Sequence, residues 1–522
     1  MRPLRAAVPI ATVVAALAFA SPAAADVSAA EAIRAADGDP KLAELRQRPG
    51  ALSYSASKVD GGWEVSYFEG GDRVALVMVD PRSGDVREAW TGYQVDWKMA
   101  RGYEGAFGHA LNAPYVFLPL CALFLLGLLD WRRPWRLANL DLLVLIGFGV
   151  SHLFFNRAEI GVSVPLQYPV LLYLLGRCLW IGLRGGEGWR PAWPATWLLV
   201  AALFLVGVRA GLNLADSGVV DVGYASVVGA DRLADGEPLY GSFPPDVERG
   251  DTYGPANYLA YAPFEAIWPW SGGWDDLPAA HAAAVVFDLG TIALLYLLGL
   301  RLAGRELATT LAFAWAAYPY TALVLESNSN DSLVALLLTA TLLLLARPAA
   351  RGALLALAAL TKFAPALLLP LLATFSPAGP AGRALGPAGL TLGAFAAVAA
   401  ALLLWPALDP GLATLWDRTI AYQADRDSPF SIWGQVPSLE PLRLALLVAV
   451  AALAALLAFR PRPKTLQQVA ALGAALLIGL QLTAEHWFYL YVVWFYPLLL
   501  VAMATSERAP SPARSSRPGP AR

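Results

Sequence analysis

Apolar runs of roughly 16–23 residues recur along the chain and set the first prediction. A helix of that length crosses about 30 Å of hydrocarbon. From residue 114 onward there are about twelve such segments: 114–130, 139–156, 164–183, 194–212, 280–302, 306–325, 331–346, 352–374, 386–407, 441–459, 466–484 and 486–504. Residues 26–112 follow a different rule. "SAAEAIRAADGDPKLAELRQRPG" (28–50) reads as helix. "ALSYSASKVDGGWEVSYFEGGDRVALVMVDPRSGDVREAW" (51–90) alternates apolar and polar positions and breaks at "DGG", "EGGD" and "DPRSG". That period of two predicts about three antiparallel strands joined by turns. The expected fold is mainly α: a polytopic membrane protein with a small α+β extracytoplasmic N-terminal domain.

The polar connections orient the segments. The chain opens "MRPLRAAVPIATVVAALAFASPAAADVS", which reads as a secretory signal over 1–25 cleaved near Ala25, the alternative being an uncleaved signal anchor; either way residue 26 begins outside. "DWRRPWR" (130–136), "LRGGEGWR" (183–190), "RLAGR" (301–305), "ARPAAR" (346–351) and "RPRPK" (460–464) are basic and should be cytoplasmic. The Pro/Ser/Arg-rich tail, 505–522, reads as disordered and cytoplasmic. Alternation then works only if 352–374 returns to the side it came from. Lys362, Pro365 and Pro370 interrupt that segment, which predicts two short helical halves or a broken hairpin. Two long polar loops, 213–279 and 408–440, then share the outer face.

Composition agrees. Of the 522 residues 57% are hydrophobic and only 15% charged, against about 25% charged in soluble domains. The net charge of −2 gives no sign of nucleic-acid binding. Cys121 and Cys178 sit in apolar blocks and predict buried thiols without a disulfide. The four histidines lack metal-ligand spacing, so no built-in metal site is expected.

Chemistry concentrates in the outer loops. "DSGVVDVGYASVVGADRLADGEPLYG" (216–241) clusters carboxylates directly after an apolar helix. A carboxylate near lipid is partly desolvated, which raises its pKa and suits a general base. A helix over 221–235 would place Asp221 in its first turn and lay a stripe of Val222, Ala225 and Val228 on the membrane, although Gly223 and Gly229 weaken it. The bland alternative for Asp221 is a solvated loop charge or a helix cap. "ESNSNDS" (326–332) offers Asn328, Asn330 and Asp331 either to sugar hydroxyls or as a helix cap. Lys362 lies mid-segment as a candidate anion ligand or a snorkelling lysine. Asp288 has no evident partner and reads as a structural bond between helices.

The outer-loop stretch, with its acidic residue before a short helix, resembles the first outer loop of GT-C type glycosyltransferases. "DTYGPANYLAYAPFEAIWP" (251–269) is similar to the start of their next helix, and "ALTKFAP" (359–365) to their "LTK" segment. "DRDSPFSIWGQ" (425–435) and "HWFYLYVVWFYP" (486–497) resemble late segments of glycosyltransferase family 87. The likeness spans 194–504, leaving 113–193 as additional transmembrane helices; 26–112 weakly resembles a PepSY domain. The resemblance implies inverting transfer of a sugar, commonly mannose, from a polyprenyl-phosphate co-substrate to an extracytoplasmic glycolipid or glycan. It puts the catalytic acid on Asp221, with Asp216 a second candidate. Lys362, Arg426, Arg418 and His486 become candidate donor-phosphate ligands. Tyr224, Asp251, Tyr253, Trp433, Gln435 and Trp487 join Asn328, Asn330 and Asp331 as candidate substrate contacts. Asp216, Asp221 and Asp251 could together hold a divalent cation, though none is expected to be built in. The expected location is the plasma membrane, with the site facing outward. A transporter or flippase is the main alternative, but internal repeats and matched broken helices are missing from the sequence. A sensor working through 26–112 would leave both outer loops unexplained.

Overall fold

The computed structural model describes residues 26–47, 52–59, 61–102, 109–376, 385–424, 426 and 428–506. The expected signal, the tail beyond Ser506, most of "SPAGPAGR" (376–383), Asp425 and Asp427 lie outside the described residues. The chain divides into two compact units, one ending at Arg101 and one beginning at Gly102.

In the N-terminal unit the single helix expected over 28–50 is two, Ala29–Asp37 and Pro40–Arg46. Ser28 caps the first in a capping box with Glu31, and Asp39 caps the second just before Pro40. The strand expectation also needs correction. Three turns separate four strands: β1 (Ser53–Val59), β2 (Gly62–Glu69), β3 (Asp72–Val79) and β4 (Val86–Thr91), in the order β1-β2-β3-β4 and all antiparallel. Register places Val65 opposite Val77 and Tyr67 opposite Ala75. That face packs on Ala32, Ala36, Leu42 and Leu45 of the helices. Leu76, Trp90 and Val95 form a separate small cluster.

The second unit is helical. Six helical stretches among the described residues are long and apolar enough to cross a membrane: Leu137–Asn156, Ile160–Arg184, Ala195–Asp216, Pro278–Ala303, Gly386–Ala424 and Pro437–Phe459. A seventh counts if Arg305–Ala317 and Pro319–Glu326, bent by 57°, form one span. The other apolar segments carry shorter helices, such as Pro114–Leu128 and Asp331–Leu343, so helix length does not establish twelve crossings. Pro319 explains the bend, because the residue before a proline is driven out of the α region, and Tyr318 is extended at φ −76°, ψ 125°. The interruption expected in 352–374 is present. Helix Pro348–Ala359 stops, residues 360–363 turn, and a 3₁₀ segment, Ala364–Leu368, leads into helix Leu369–Ala373.

Polar side chains lock the helices together. Asp288 bonds Arg209 at 2.6 Å and accepts from the Trp315 indole at 2.8 Å. It is thus the interhelical bond expected of it. Cys121 and Cys178 are buried and unbridged. Two of the basic connections are joined, Arg136 donating to the Gly188 carbonyl at 3.0 Å, and Gln467 donates to the Ala502 carbonyl at 3.0 Å.

Candidate active site between two polar loops

Helix Asp221–Asp235 begins and ends where the sequence places it, stopped by Gly236 in the left-handed region at φ 71°. Its surroundings differ from expectation. The stripe meant to lie on the membrane is instead packed into protein: Ala225 and Val228 are buried against Tyr258, Tyr261 and Phe287. The two glycines that argued against the helix are what allow this. A Cβ on Gly229 would stand 2.1 Å from the Tyr258 ring, and one on Gly223 would stand 2.3 Å from the Asn328 carbonyl oxygen. The segment just before the helix is pinned as well, with Gly218 N–H donating to Glu326 O at 3.2 Å and Val220 N–H to Ser327 O at 3.1 Å. The helix start is thereby seated on the buried 326–330 turn. Asp221 itself is exposed, correcting the half-desolvated position expected, and its Oδ1 accepts from the Val222 N–H at 2.8 Å.

Asp221 stands on a cavity of about 250 Å³ lined also by Ala225, Asp246, Arg249, Tyr253, Tyr422 and Arg426. Both long polar loops, 213–279 and 408–440, contribute to it. Several contacts clip them together. Arg418 donates to buried Asp251 at 2.6 Å and also to the Glu248 carbonyl, Gln423 donates to Thr252 at 2.8 Å, and the Arg249 guanidinium lies 5.1 Å from the Tyr422 ring centre. Arg418 and Asp251, read from sequence as phosphate and sugar ligands, therefore hold each other. The Gly241 N–H also donates to Asp251, at 2.7 Å.

Behind Tyr253 lies Lys362. Its ammonium is 5.4 Å from the Tyr253 ring centre, 5.4 Å from Tyr491 and 5.2 Å from Trp494. It donates to Asp331 Oδ1, which also accepts from the Trp494 indole at 2.6 Å. Ser329 donates to the other oxygen. The Tyr253 hydroxyl is pushed well above its usual pKa, first by burial and then by the negative charge of Asp221. Asp221 and Arg426 act electrostatically on both Tyr253 and Lys362, and Arg426 and Lys362 act on His486, but neither Lys362 nor His486 lines the cavity. His486 Nδ1 is also hydrogen-bonded to Ser428 Oγ at 2.9 Å.

Other candidates are placed elsewhere. Asp216 does not line the cavity, and it accepts from the Ala110 N–H at 3.0 Å. Trp433 donates to the Leu482 carbonyl, Trp487 donates to Gln481 and stacks on Phe148, and Gln435 donates to the Pro429 carbonyl. Tyr224 is buried, stacks on Trp274 and donates to Asp246. Asn328 bonds Asn213, Ser217 and the Gly218 carbonyl. Asn330 donates to Asn257, which donates to Ser226 on the Asp221 helix. Asn257, Asp246, Tyr422, Tyr491 and Trp494 were missed. Only the last two left a trace in the sequence, as aromatics three residues apart in "YVVW" (491–494).

The three aspartates suggested for a divalent cation each have a different partner: Ala110, Val222 and Arg418. Among the described residues no group of three or more His, Cys, Asp or Glu is arranged to hold a metal ion.

An apolar groove of about 600 Å³ shares no lining residue with the cavity, but its Leu360 carbonyl accepts from the Ala256 N–H at 3.1 Å, three residues from Tyr253 of the cavity wall. Its walls are Leu360, Phe363, Leu403, Leu412, Ala413, Leu415, Trp416, Thr419 and Ile420. Leu360 and Phe363 flank Lys362 in the chain, and 412–420 leads into Tyr422 of the cavity wall. Segment 412–426 therefore carries an apolar lining on one stretch and a polar one on the next.

Residues 252–505 match the family model of Glycosyltransferase family 87. The match takes in Tyr253, Asp331, Lys362, Arg426 and His486 and begins after Asp221. It supports a GT-C-like glycosyltransferase and, with the apolar helices, indicates membrane glycosyltransferase activity. No curated protein matches the chain.

Proposed function

We propose that the protein transfers a sugar, most simply mannose, from a polyprenyl-phosphate donor to a glycolipid or glycan hydroxyl at the outer face of the plasma membrane. The observation that carries this reading is the adjacency of two unlike hollows. The apolar groove lined by Leu360, Phe363, Leu412 and Trp416 suits an isoprenoid chain, and the cavity beside it carries a carboxylate and an arginine. A polyprenyl-phosphate sugar has that division within one molecule.

In this mechanism Asp221 accepts the proton of the acceptor hydroxyl. The hydroxyl oxygen attacks the anomeric carbon from the face opposite the phosphate, a new C–O bond forms, and the anomeric carbon–phosphate oxygen bond breaks. The electron pair leaves with the polyprenyl phosphate, so the anomeric configuration inverts. Charge develops on the leaving oxygen, where Lys362 and Arg426 supply cations. Donors already positioned for that charge stabilise the transition state more than the ground state. An exposed Asp221 suits the role, since the base must be reachable by an acceptor arriving from water or the membrane surface. No step requires a metal.

The test supplies membranes containing wild type or Asp221→Asn with radiolabelled polyprenyl-phosphate mannose and a cell-lipid extract. Transfer by wild type and loss in the variant is expected. Equal transfer by both removes Asp221 from the mechanism, and no transfer by wild type removes this donor.

A further inference from the structure

We propose that Asp331 is a positioning residue: it aims the Lys362 ammonium at the donor phosphate and makes no contact with sugar. The proposal rests on the donor reading above and adds a residue to it.

Asp331 is fully buried and Lys362 is 7% exposed. A lysine in a helix break has four rotatable bonds, and an isolated one would extend its charge toward water. Three aromatic rings surround this ammonium at 5.2–5.4 Å. Ring faces attract a cation without fixing its direction strongly. A carboxylate does fix it, because a charge-assisted hydrogen bond has a defined axis. The carboxylate is itself immobilised. Asp331 Oδ1 accepts from Lys362 and Trp494, and Oδ2 accepts from Ser329. These three donors come from the 360–363 break, the Val492–Ala504 helix and the turn before helix Asp331–Leu343. With its oxygens so engaged and no exposure, Asp331 is not presented to a sugar hydroxyl.

The ammonium has three protons. One goes to Asp331, and the other two have no acceptor among the described residues. A phosphate oxygen is the anionic partner that the proposed reaction brings to this point. Arg426 and Asp221 also act electrostatically on Lys362, and Lys362 acts on His486. The Asp331–Lys362 pair is neutral overall. It therefore contributes direction rather than net charge.

The experiment measures binding of undecaprenyl phosphate to the full-length protein in detergent by native mass spectrometry. Wild type, Asp331→Asn, Lys362→Ala and the double variant are compared, each with a thermal unfolding curve. Asp331→Asn is expected to weaken binding about tenfold, the scale of one hydrogen bond to a charged group. The double variant should bind within about twofold of Lys362→Ala alone, because a residue acting only through Lys362 has nothing left to position. Losses that multiply in the double variant, or Asp331→Asn binding as wild type or tighter, overturn the proposal. If Asp331→Asn does not fold, Trp494→Phe and Ser329→Ala carry the same cycle, since each removes one donor to Asp331. Each should weaken binding in the wild-type background and have no effect beside Lys362→Ala. Wild type that does not bind undecaprenyl phosphate overturns the donor reading together with this one. Wild type that binds, with Asp331 variants that are indistinguishable from it, overturns only this one.

Discussion

Replacing Gly223 by alanine should cut sugar transfer by about a hundredfold while leaving the protein folded. The added Cβ would stand 2.3 Å from the backbone oxygen of Asn328. An ordinary contact between such atoms begins near 3.4 Å, so something must move by about 1 Å. Asn328 is poorly able to move: its side chain bonds Asn213, Ser217 and the Gly218 carbonyl, and its backbone already holds φ 48°. The first turn of the Asp221–Asp235 helix has to give instead, and Asp221 is two residues from the clash. A misplacement of about 1 Å in a catalytic group can cost about 10²-fold in rate. The stability cost should stay near the 1–3 kcal/mol typical of one overpacked methyl. The assay is transfer from labelled polyprenyl-phosphate mannose, with kcat and KM for donor measured separately and unfolding followed by heat. Gly207→Ala serves as the control, since no heavy atom lies within 4 Å of a Cβ there; it should be silent or stabilise the helix by up to about 1 kcal/mol. A Gly223→Ala protein with a normal unfolding temperature and undiminished kcat would refute the claim that this contact sets the position of Asp221.

Asp221→Asn should lower transfer by about 10²–10⁴-fold, whereas Asp216→Asn, whose carboxylate lies off the cavity, should keep most of it; the reverse pattern in the same assay would move the base to Asp216. Arg209→Met strands the buried Asp288 carboxylate and should destabilise the helical unit by about 3 kcal/mol, as read by thermal unfolding in detergent; Arg209→Met with Asp288→Leu should cost less, and an equal or larger cost would argue against a charge penalty.

Local signals were legible where one residue type admits few conformations. Asp221 and Gly236 bounded a helix that forms between them, and Lys362 with Pro365 and Pro370 marked a break that is there. Signals that depend on distant partners were not. Gly223 and Gly229 read as weak helix formers, because their value lies in admitting Asn328 and Tyr258 from other parts of the chain. Arg418 and Asp251 read as two ligands, and only the fold brings together residues 167 positions apart. Trp433 and Trp487 offered ring faces suited to stacking on a sugar and Gln435 a polar group, but both indoles are buried, Trp487 stacks on Phe148, and Gln435 donates to the Pro429 carbonyl, which no pattern of spacing reveals. Apolarity likewise located the helical segments without fixing how far each helix runs, as the turn at Tyr318–Pro319 shows.

These misses share a cause that bears on how the site works. Both long polar loops are acidic, with 11 acidic against 2 basic residues in 213–279 and 5 against 2 in 408–440, and the bonds that close the site run between them. Arg418 meets Asp251 and Gln423 meets Thr252, while Tyr422 and Arg426 face Asp221 across one cavity. The cavity therefore exists only when 408–426 lies against 241–253. The apolar groove has the same requirement, since Leu412, Trp416 and Ile420 form one wall and Leu360 and Phe363 another. A lipid-linked donor seated in both would bury apolar surface on the segment that also closes the polar cavity, so binding of the tail favours assembly of the reacting end. Remote binding energy used in this way raises the rate of the chemical step as well as affinity. Donors with shortened isoprenoid chains should accordingly lose kcat along with affinity, and a series in which only KM rises would show that the groove binds lipid without helping to build the site.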